Sequence, residues 1–260
     1  MHKKKFKNVV VLLSGGLDSS CLAYFAGKNT KPYIKNRVYS LTFDYGQRHK
    51  KELLSAFKIS KAINAVDHKV VKFDLTLWGG SALTDMSMKV PFNRAIFNGK
   101  PLNFQSRKLT KVSIPNTYVP ARNTIFLSFA LAYAEAVSAS EIYIGVNSID
   151  YSGYVDCRPL FIKRFQELAK VATVSGVNGK TIKIKTPLIK LTKSDIVRLG
   201  TRLGVDWSKT WSCYKGKKKA CGLCDSCQLR LKGFALAGIK DPLCYKQYPK
   251  FYEKFMLLAT

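Results

Sequence analysis

The chain has 260 residues, 47% of them apolar, with 44 Lys and Arg against 16 Asp and Glu, a formal charge of +28 at pH 7. This length suits one large domain or a core with an appendage. No uninterrupted apolar run of ~18 residues marks a membrane helix, so no membrane partner is expected and the chain is read as cytoplasmic. The lysines are scattered from Lys28 and Lys31 to Lys217-Lys218-Lys219 without an RNA-recognition motif beside them. The charge is therefore read as a lysine-rich surface rather than a nucleic-acid face.

The N-terminal Met1-His2-Lys3-Lys4-Lys5-Phe6-Lys7 has the basic look of a secretion leader, but the apolar stretch after it is short and runs into a glycine turn. It reads as a core strand. Strands are expected at 8–13, 37–43, 69–73, 141–146 and 181–186, and helices at 18–28, 47–64, 122–139, 158–173 and 192–203. Strands alternating with helices give an α/β fold, a parallel sheet covered on both faces. Residues 1–205 form this core and 206–260 a smaller C-terminal region. Within the core, 77–117 lacks periodicity and holds Gly79-Gly80, Pro91, Pro101 and Pro115, so it is read as a lid or substrate loop. Thr192 with Asp195 reads as a helix start, Pro187 as the exit from the strand before it, and Gly200 and Gly204 as the helix's end.

The first strand ends in Leu12-Leu13-Ser14-Gly15-Gly16-Leu17-Asp18-Ser19-Ser20. Glycines let the backbone approach an anion, and a helix beginning there offers unpaired N–H groups and its positive end. Leu13, Ser14, Gly15, Gly16, Leu17, Asp18, Ser19 and Ser20 are thus candidate ligands of a pyrophosphate. Neither Gly-x-x-x-x-Gly-Lys nor Gly-x-Gly-x-x-Gly follows the strand, which removes the P-loop and dinucleotide readings. In an open parallel sheet, ligands gather beyond the C-terminal strand ends. That rule joins this turn to 44–49, 119–123 and 145–158. Near the other end, Cys213 and Cys221-x-x-Cys224-x-x-Cys227 have the spacing of a four-sulfur metal site. One structural Zn²⁺ is the expectation, with an iron–sulfur cluster as the alternative.

The string Ser-Gly-Gly-Leu-Asp-Ser-Ser resembles the PP-loop of the ATP pyrophosphatases, which split ATP between the α and β phosphates. Further strings sharpen the resemblance: Phe-Asp-Tyr-Gly-Gln-Arg-His at 43–49, Ile-Pro-Asn-Thr-Tyr-Val-Pro-Ala-Arg-Asn at 114–123, Asp-Tyr-Ser-Gly-Tyr-Val-Asp-Cys-Arg at 150–158, Thr-Pro-Leu at 186–188, Trp-Ser-Cys-Tyr at 211–214 and Cys-Gly-Leu-Cys-Asp-Ser-Cys at 221–227. Together they resemble the 7-cyano-7-deazaguanine synthases of queuosine precursor biosynthesis. The resemblance implies a Rossmann-type PP-loop core, a homodimer, and ligase chemistry. ATP adenylates 7-carboxy-7-deazaguanine, ammonia displaces AMP to give an amide, and a second ATP converts the amide to the nitrile.

That reaction assigns roles. Asp18 is expected either to hold Mg²⁺ between phosphates or to cap its helix. Arg122, Lys193 and Arg48 are candidate cations at the α-phosphate. Tyr45, Gln47, Tyr151, Asp156 and Arg158 are candidates for the heterocycle, Asp156 for its N–H edge and Arg158 for its carboxylate. His49 is read as an ordinary hydrogen-bonded residue and Cys157 as either a buried thiol or a substrate contact. A rival reading is tRNA thiolation, which needs a sulfur-carrying cysteine from Cys21, Cys157 or Cys244. A second rival is a nucleotide-binding module without turnover.

Overall fold

The computed structural model describes residues 5–28, 34–48, 50–91, 114–148, 154–215 and 218–258. Five parallel strands, β1 (Lys5–Leu12), β2 (Ile34–Asp44), β3 (Asp67–Lys72), β4 (Glu141–Tyr143) and β5 (Lys183–Lys185), lie in the order β3-β2-β1-β4-β5. The helices are α1 (Leu17–Gly27), α2 (Lys51–Ala62), α3 (Arg122–Ala136), α4 (Pro159–Val171), α5 (Val174–Val177), α6 (Lys193–Arg202), α7 (Asp225–Ala237) and α8 (Lys250–Leu258).

The central strand explains the layers. Val9, Val10 and Val11 are wholly buried because β1 is covered on both faces, as parallel strands are. Successive side chains point to opposite faces. Val9 and Val11 join α1, α2, α6 and α7 in one core, and Val10 and Leu12 join α3 and α4 in the other. Asn36 ties β2 to the end of α1 by donating to the Ala26 carbonyl at 2.8 Å.

All five expected strands and five expected helices are present, with shifted ends. β5 is an edge strand and is shorter than expected. The Gln166 carboxamide occupies its edge, donating to Ile182 O at 2.9 Å and accepting from Ile184 N at 2.8 Å. α2 begins at Lys51 because Gln47 folds the preceding loop, accepting from Tyr45 N at 2.8 Å and donating to Phe43 O at 3.1 Å. Gly200 does not end α6. It sits inside the helix, where a Cβ would lie 2.3 Å from the Trp207 ring; Gly204, at φ +81°, makes the turn. α7 escaped the sequence reading because Asp225, Gln228 and Arg230 are buried beside Leu231 and Phe234, so no polar stripe marks a solvent face. Of the expected lid, 92–113 lies outside the described residues. Its two flanks meet where Ala82 N donates to Asn116 O at 2.7 Å.

Candidate active site

The chain runs from β1 to β3 toward one edge of the sheet, then returns to place β4 on the other side of β1. Diverging connections open a crevice at that point, beyond the C-terminal ends of β1 and β4. A cavity of about 300 Å³ lies there, walled by the PP-loop, the end of β2, the starts of α2, α3 and α6, and Trp211.

The PP-loop is held from behind. Gly15 has φ +77°, and a Cβ on it would lie 2.5 Å from Ala56 N and Glu52 O, so this glycine lets the turn press on the α2 backbone. Gly16 caps α1 with an ordinary φ of −76°. Ser19 Oγ accepts from Ser14 N at 3.2 Å and lies 2.9 Å from Ser14 Oγ, which closes the turn on itself. Leu13, Ser14, Gly16, Leu17, Asp18 and Ser19 line the cavity. Ser20 does not: one residue further is about 100° around the helix, and its hydroxyl is fully buried without a partner among the described residues.

Asp18 Oδ2 accepts from Lys193 Nζ at 2.5 Å, while Asp18 Oδ1 is buried with no partner among the described residues. Lys193 is the first residue of α6. Thr192 and Asp195 form a reciprocal capping box that fixes where the helix begins and so where Lys193 points. Arg122 opens α3 directly after Ala121, a left-handed non-glycine at φ +50°. Such a conformation costs roughly 1–2 kcal/mol and persists only where its surroundings enforce it. The guanidinium faces Tyr45, whose hydroxyl it pulls toward ionisation, and lies 5.8 Å from the Phe126 ring centre. Its Nε is buried and unpaired among the described residues. Burial works against its charge, but Tyr45, Tyr154 and Asp156 more than offset that, so Arg122 stays a cation.

Other expected ligands are engaged elsewhere. Arg48 lines the cavity, and its Nε and Nη2 donate to carbonyls, Ala82 at 2.6 Å and Asp85 and Met88 at 2.5 Å each, so it clamps the 82–88 loop. Gln47 is spent on its own loop. Asp156 Oδ2 accepts from the N–H of Asn123 in the first turn of α3, at 2.9 Å, and does not line the cavity. Its placement fits a helix N-terminus, which favours a carboxylate. Arg158 is the N-cap residue of α4, also off the cavity wall. Tyr151 and His49 lie outside the described residues. Tyr45 lines the wall, and burial raises its hydroxyl against the opposing pull of Arg122.

The cavity also holds residues that the sequence reading passed over, chiefly Glu52, Trp211, Tyr154 and Phe126. Glu52 follows the Gln47-Arg48-His49 string closely, the one cue to it. Its side chain opens onto the cavity but is otherwise enclosed by protein. Burial raises its carboxyl to about 7, with Arg122 opposing and Cys213 adding to the rise. Cys21 and Cys157 are both lifted to about 12, chiefly by burial, and so stay neutral thiols. A sulfur carrier acts as the thiolate, so neither suits the thiolation reading.

The four cysteines meet as the spacing anticipates. All four sulfurs are buried and lie within 4.8 Å of one another, with Cys221 and Cys227 Sγ 3.9 Å apart. Cys221 N and Cys224 N each aim at a sulfur from 3.3 Å, as amides do around thiolates. The group can hold a metal ion. Behind it Arg230 is fully buried, with Nε 2.7 Å from Asp241 Oδ2, Nη2 2.9 Å from Oδ1, and Nη1 2.7 Å from Thr210 Oγ1. Trp211 links this region to the PP-loop. Its N–H donates to Gly15 O at 2.9 Å, its indole donates to Cys213 O at 3.0 Å, and Lys51 Nζ lies 3.9 Å above its ring.

Residues 8–238 match the family described as "Queuosine biosynthesis protein QueC". The chain belongs to this family. A QueC relative from Nostoc sp., named 7-cyano-7-deazaguanine synthase, is 52% identical over 238 residues, covering 91% of this chain and 96% of its own. Another of that name, from Anaeromyxobacter sp., is 51% identical over 249 residues, covering 95% of this chain and all of its own. The matched span of the QueC family contains the PP-loop, Arg122, Lys193 and all four clustered cysteines. Among the described residues no helix is long and apolar enough to cross a membrane.

Proposed function

We propose that the cavity joins 7-carboxy-7-deazaguanine to AMP and then replaces that AMP with nitrogen, first as an amide and finally as a nitrile. The observation that carries this reading is the meeting of the PP-loop, the Asp18–Lys193 pair and an Arg122 Nε with no partner among the described residues in one crevice. The family supplies the identity of the acid.

In the first step the substrate carboxylate attacks the α-phosphorus and pyrophosphate leaves. Two anions must meet, so the site has to supply positive charge where the transition state concentrates it. Ser14 and Ser19, with the N–H groups at the start of α1, bind the departing pyrophosphate. Lys193 and Arg122, both lining the cavity, are the cations for the reacting phosphate. Tyr45, Tyr154 and Phe126 offer faces on which a flat heterocycle rests. The buried, orphaned Asp18 Oδ1 suits Mg²⁺, which when bound neutralises phosphate charge. Ammonia then takes the acyl carbon and AMP departs. A second ATP activates the amide oxygen in the same way, and that oxygen leaves with AMP.

We also propose zinc for the four cysteines. A tetrahedron with ~2.3 Å metal–sulfur bonds has edges near 3.8 Å, close to the 3.9 Å between Cys221 and Cys227. The irons of a cluster sit at separate corners and hold their sulfurs further apart. Four protein ligands leave no open position, so this ion is structural.

The reaction is tested by mass spectrometry of a mixture of 7-carboxy-7-deazaguanine, ATP, Mg²⁺ and ammonium with the purified protein. The nitrile, with AMP and pyrophosphate, is expected; absence of both AMP and nitrile sinks the assignment. Native mass spectrometry checks the rest of the proposal, a cytoplasmic homodimer with one zinc per chain. A monomer, or iron in place of zinc, refutes that part.

A further inference from the structure

We propose that His68 and Thr42 are positioning residues of the phosphate grip: together they fix the Leu13–Ser14 peptide, and through it the Ser14 and Ser19 hydroxyls that close the PP-loop. The inference rests on the reading of that turn as the ATP cradle, and it gives a role to a histidine that lies outside every motif string.

Counting hydrogens assigns the direction of each bond. Thr42 Oγ1 lies 2.6 Å from the Leu13 carbonyl oxygen and 2.8 Å from His68 Nε2. A carbonyl only accepts, and a threonine hydroxyl has one hydrogen to give. That hydrogen goes to Leu13 O, so His68 Nε2 must carry a hydrogen of its own and donate it to Thr42. Burial holds the imidazole below the ordinary histidine value, with Asp67 pulling the other way, which favours the neutral ring. The neutral ring therefore keeps its proton on Nε2. Strand register brings the pair together: Thr42 of β2 lies opposite Val70 of β3, and His68, two residues earlier, projects from the same face. Phe57 of α2 stacks on the imidazole, with ring centres 6.2 Å apart.

The bonds continue into the turn. A peptide is planar and trans, so its carbonyl and its N–H point in opposite directions. With Leu13 O turned onto Thr42, the Ser14 N–H is aimed the other way, where it donates to Ser19 Oγ at 3.2 Å. Ser19 Oγ in turn lies 2.9 Å from Ser14 Oγ, and both serines line the cavity. Leu13 N donates to Leu41 O at 2.9 Å, which pins the preceding peptide to β2. Loss of the Thr42 hydroxyl removes the donor from Leu13 O and frees the Leu13–Ser14 peptide to turn. Thr42 borders the cavity, but His68 does not, so His68 reaches a phosphate only through Thr42 and the turn.

Two measurements test the proposal. In protein carrying isotopically labelled histidine nitrogens, the His68 ring signals are identified by their loss in His68→Gln. They are expected to show the neutral ring with its proton on Nε2; a proton on Nδ1 overturns the assignment. Calorimetric titrations, one with ATP and Mg²⁺ and one with 7-carboxy-7-deazaguanine, read the grip itself. Thr42→Val is expected to weaken ATP ~10-fold and the acid by less than about 2-fold. His68→Phe keeps the ring on Phe57 but donates nothing, and is expected to weaken ATP ~3-fold. Thr42→Ser, with the hydroxyl restored, is expected to bind ATP within about 2-fold of the wild type. Unchanged ATP binding in Thr42→Val, equal weakening of both ligands, or no recovery in Thr42→Ser overturns the positioning role. If the wild type itself binds no ATP, the cradle reading fails and the role falls with it, whichever nitrogen carries the proton. Should Thr42→Val not fold, His68→Phe is judged against the same outcomes.

Discussion

Arg122 and Arg230 are both buried arginines, both held as cations, and they stand in opposite condition. Arg230 has each of its nitrogens bonded, to Asp241, Thr210 and the Trp207 carbonyl. Arg122, which lines the cavity, keeps a buried Nε with no partner among the described residues, as does Asp18 its buried Oδ1. A buried donor left unsatisfied costs about 1–3 kcal/mol. A fold that tolerates this cost on one side of its PP-loop and avoids it on the other divides its labour: the C-terminal region staples, and the crevice waits for a polar ligand.

The comparison breaks if the two arginines respond alike to substitution. Arg230→Met strands Asp241 in the interior and should cost ~3–5 kcal/mol in unfolding free energy by urea titration. Truncation at Arg122 should act on turnover instead: Arg122→Ala is expected to lower kcat/KM by ~10²–10³-fold, about 3–4 kcal/mol of barrier, with a smaller loss in urea stability. If Arg122→Ala instead lost stability as Arg230→Met does while keeping kcat/KM, the division would be wrong. A finer effect comes from Glu52. Its carboxyl titrates at about 7 in the fold against an ordinary 4.5, so the folded state favours the protonated form. The associated stability is present below pH 4.5 and is lost as pH rises through about 7. Glu52→Gln should therefore match the wild type in acid and exceed its stability at pH 8, by up to ~3 kcal/mol. Thermal unfolding across that range reads it, and equal pH slopes in the two proteins would remove Glu52 as the cause.

Local chemistry explains what the sequence could reveal. Buried parallel strands announce themselves as apolar runs, so the inner strands β1, β2 and β4 were visible; the edge strands β3 (Asp67–Lys72) and β5 (Lys183–Lys185) carry only short apolar pieces between lysines. The PP-loop and the capping box at Thr192–Asp195 carry their own short-range signals, and the four cysteines are close in sequence. Residues whose meaning comes from distant partners were not visible. Arg48 and Asp156 have the right chemistry for a ligand, but the fold turns one onto the 82–88 carbonyls and the other beneath α3. Glu52 resembles any helix-start acid until Gly15 and Arg122 come up against it. Helix α7 was hidden because its polar residues are paired inside the protein, which erases the amphipathic stripe.

The two hydrogen bonds of Trp211, one to Gly15 and one to Cys213, form a tether with almost no slack. Sulfur ligation and phosphate grip are therefore mechanically in series. A metal held by the four cysteines would thereby also brace, through Trp211, the backbone of the turn proposed to grip phosphate.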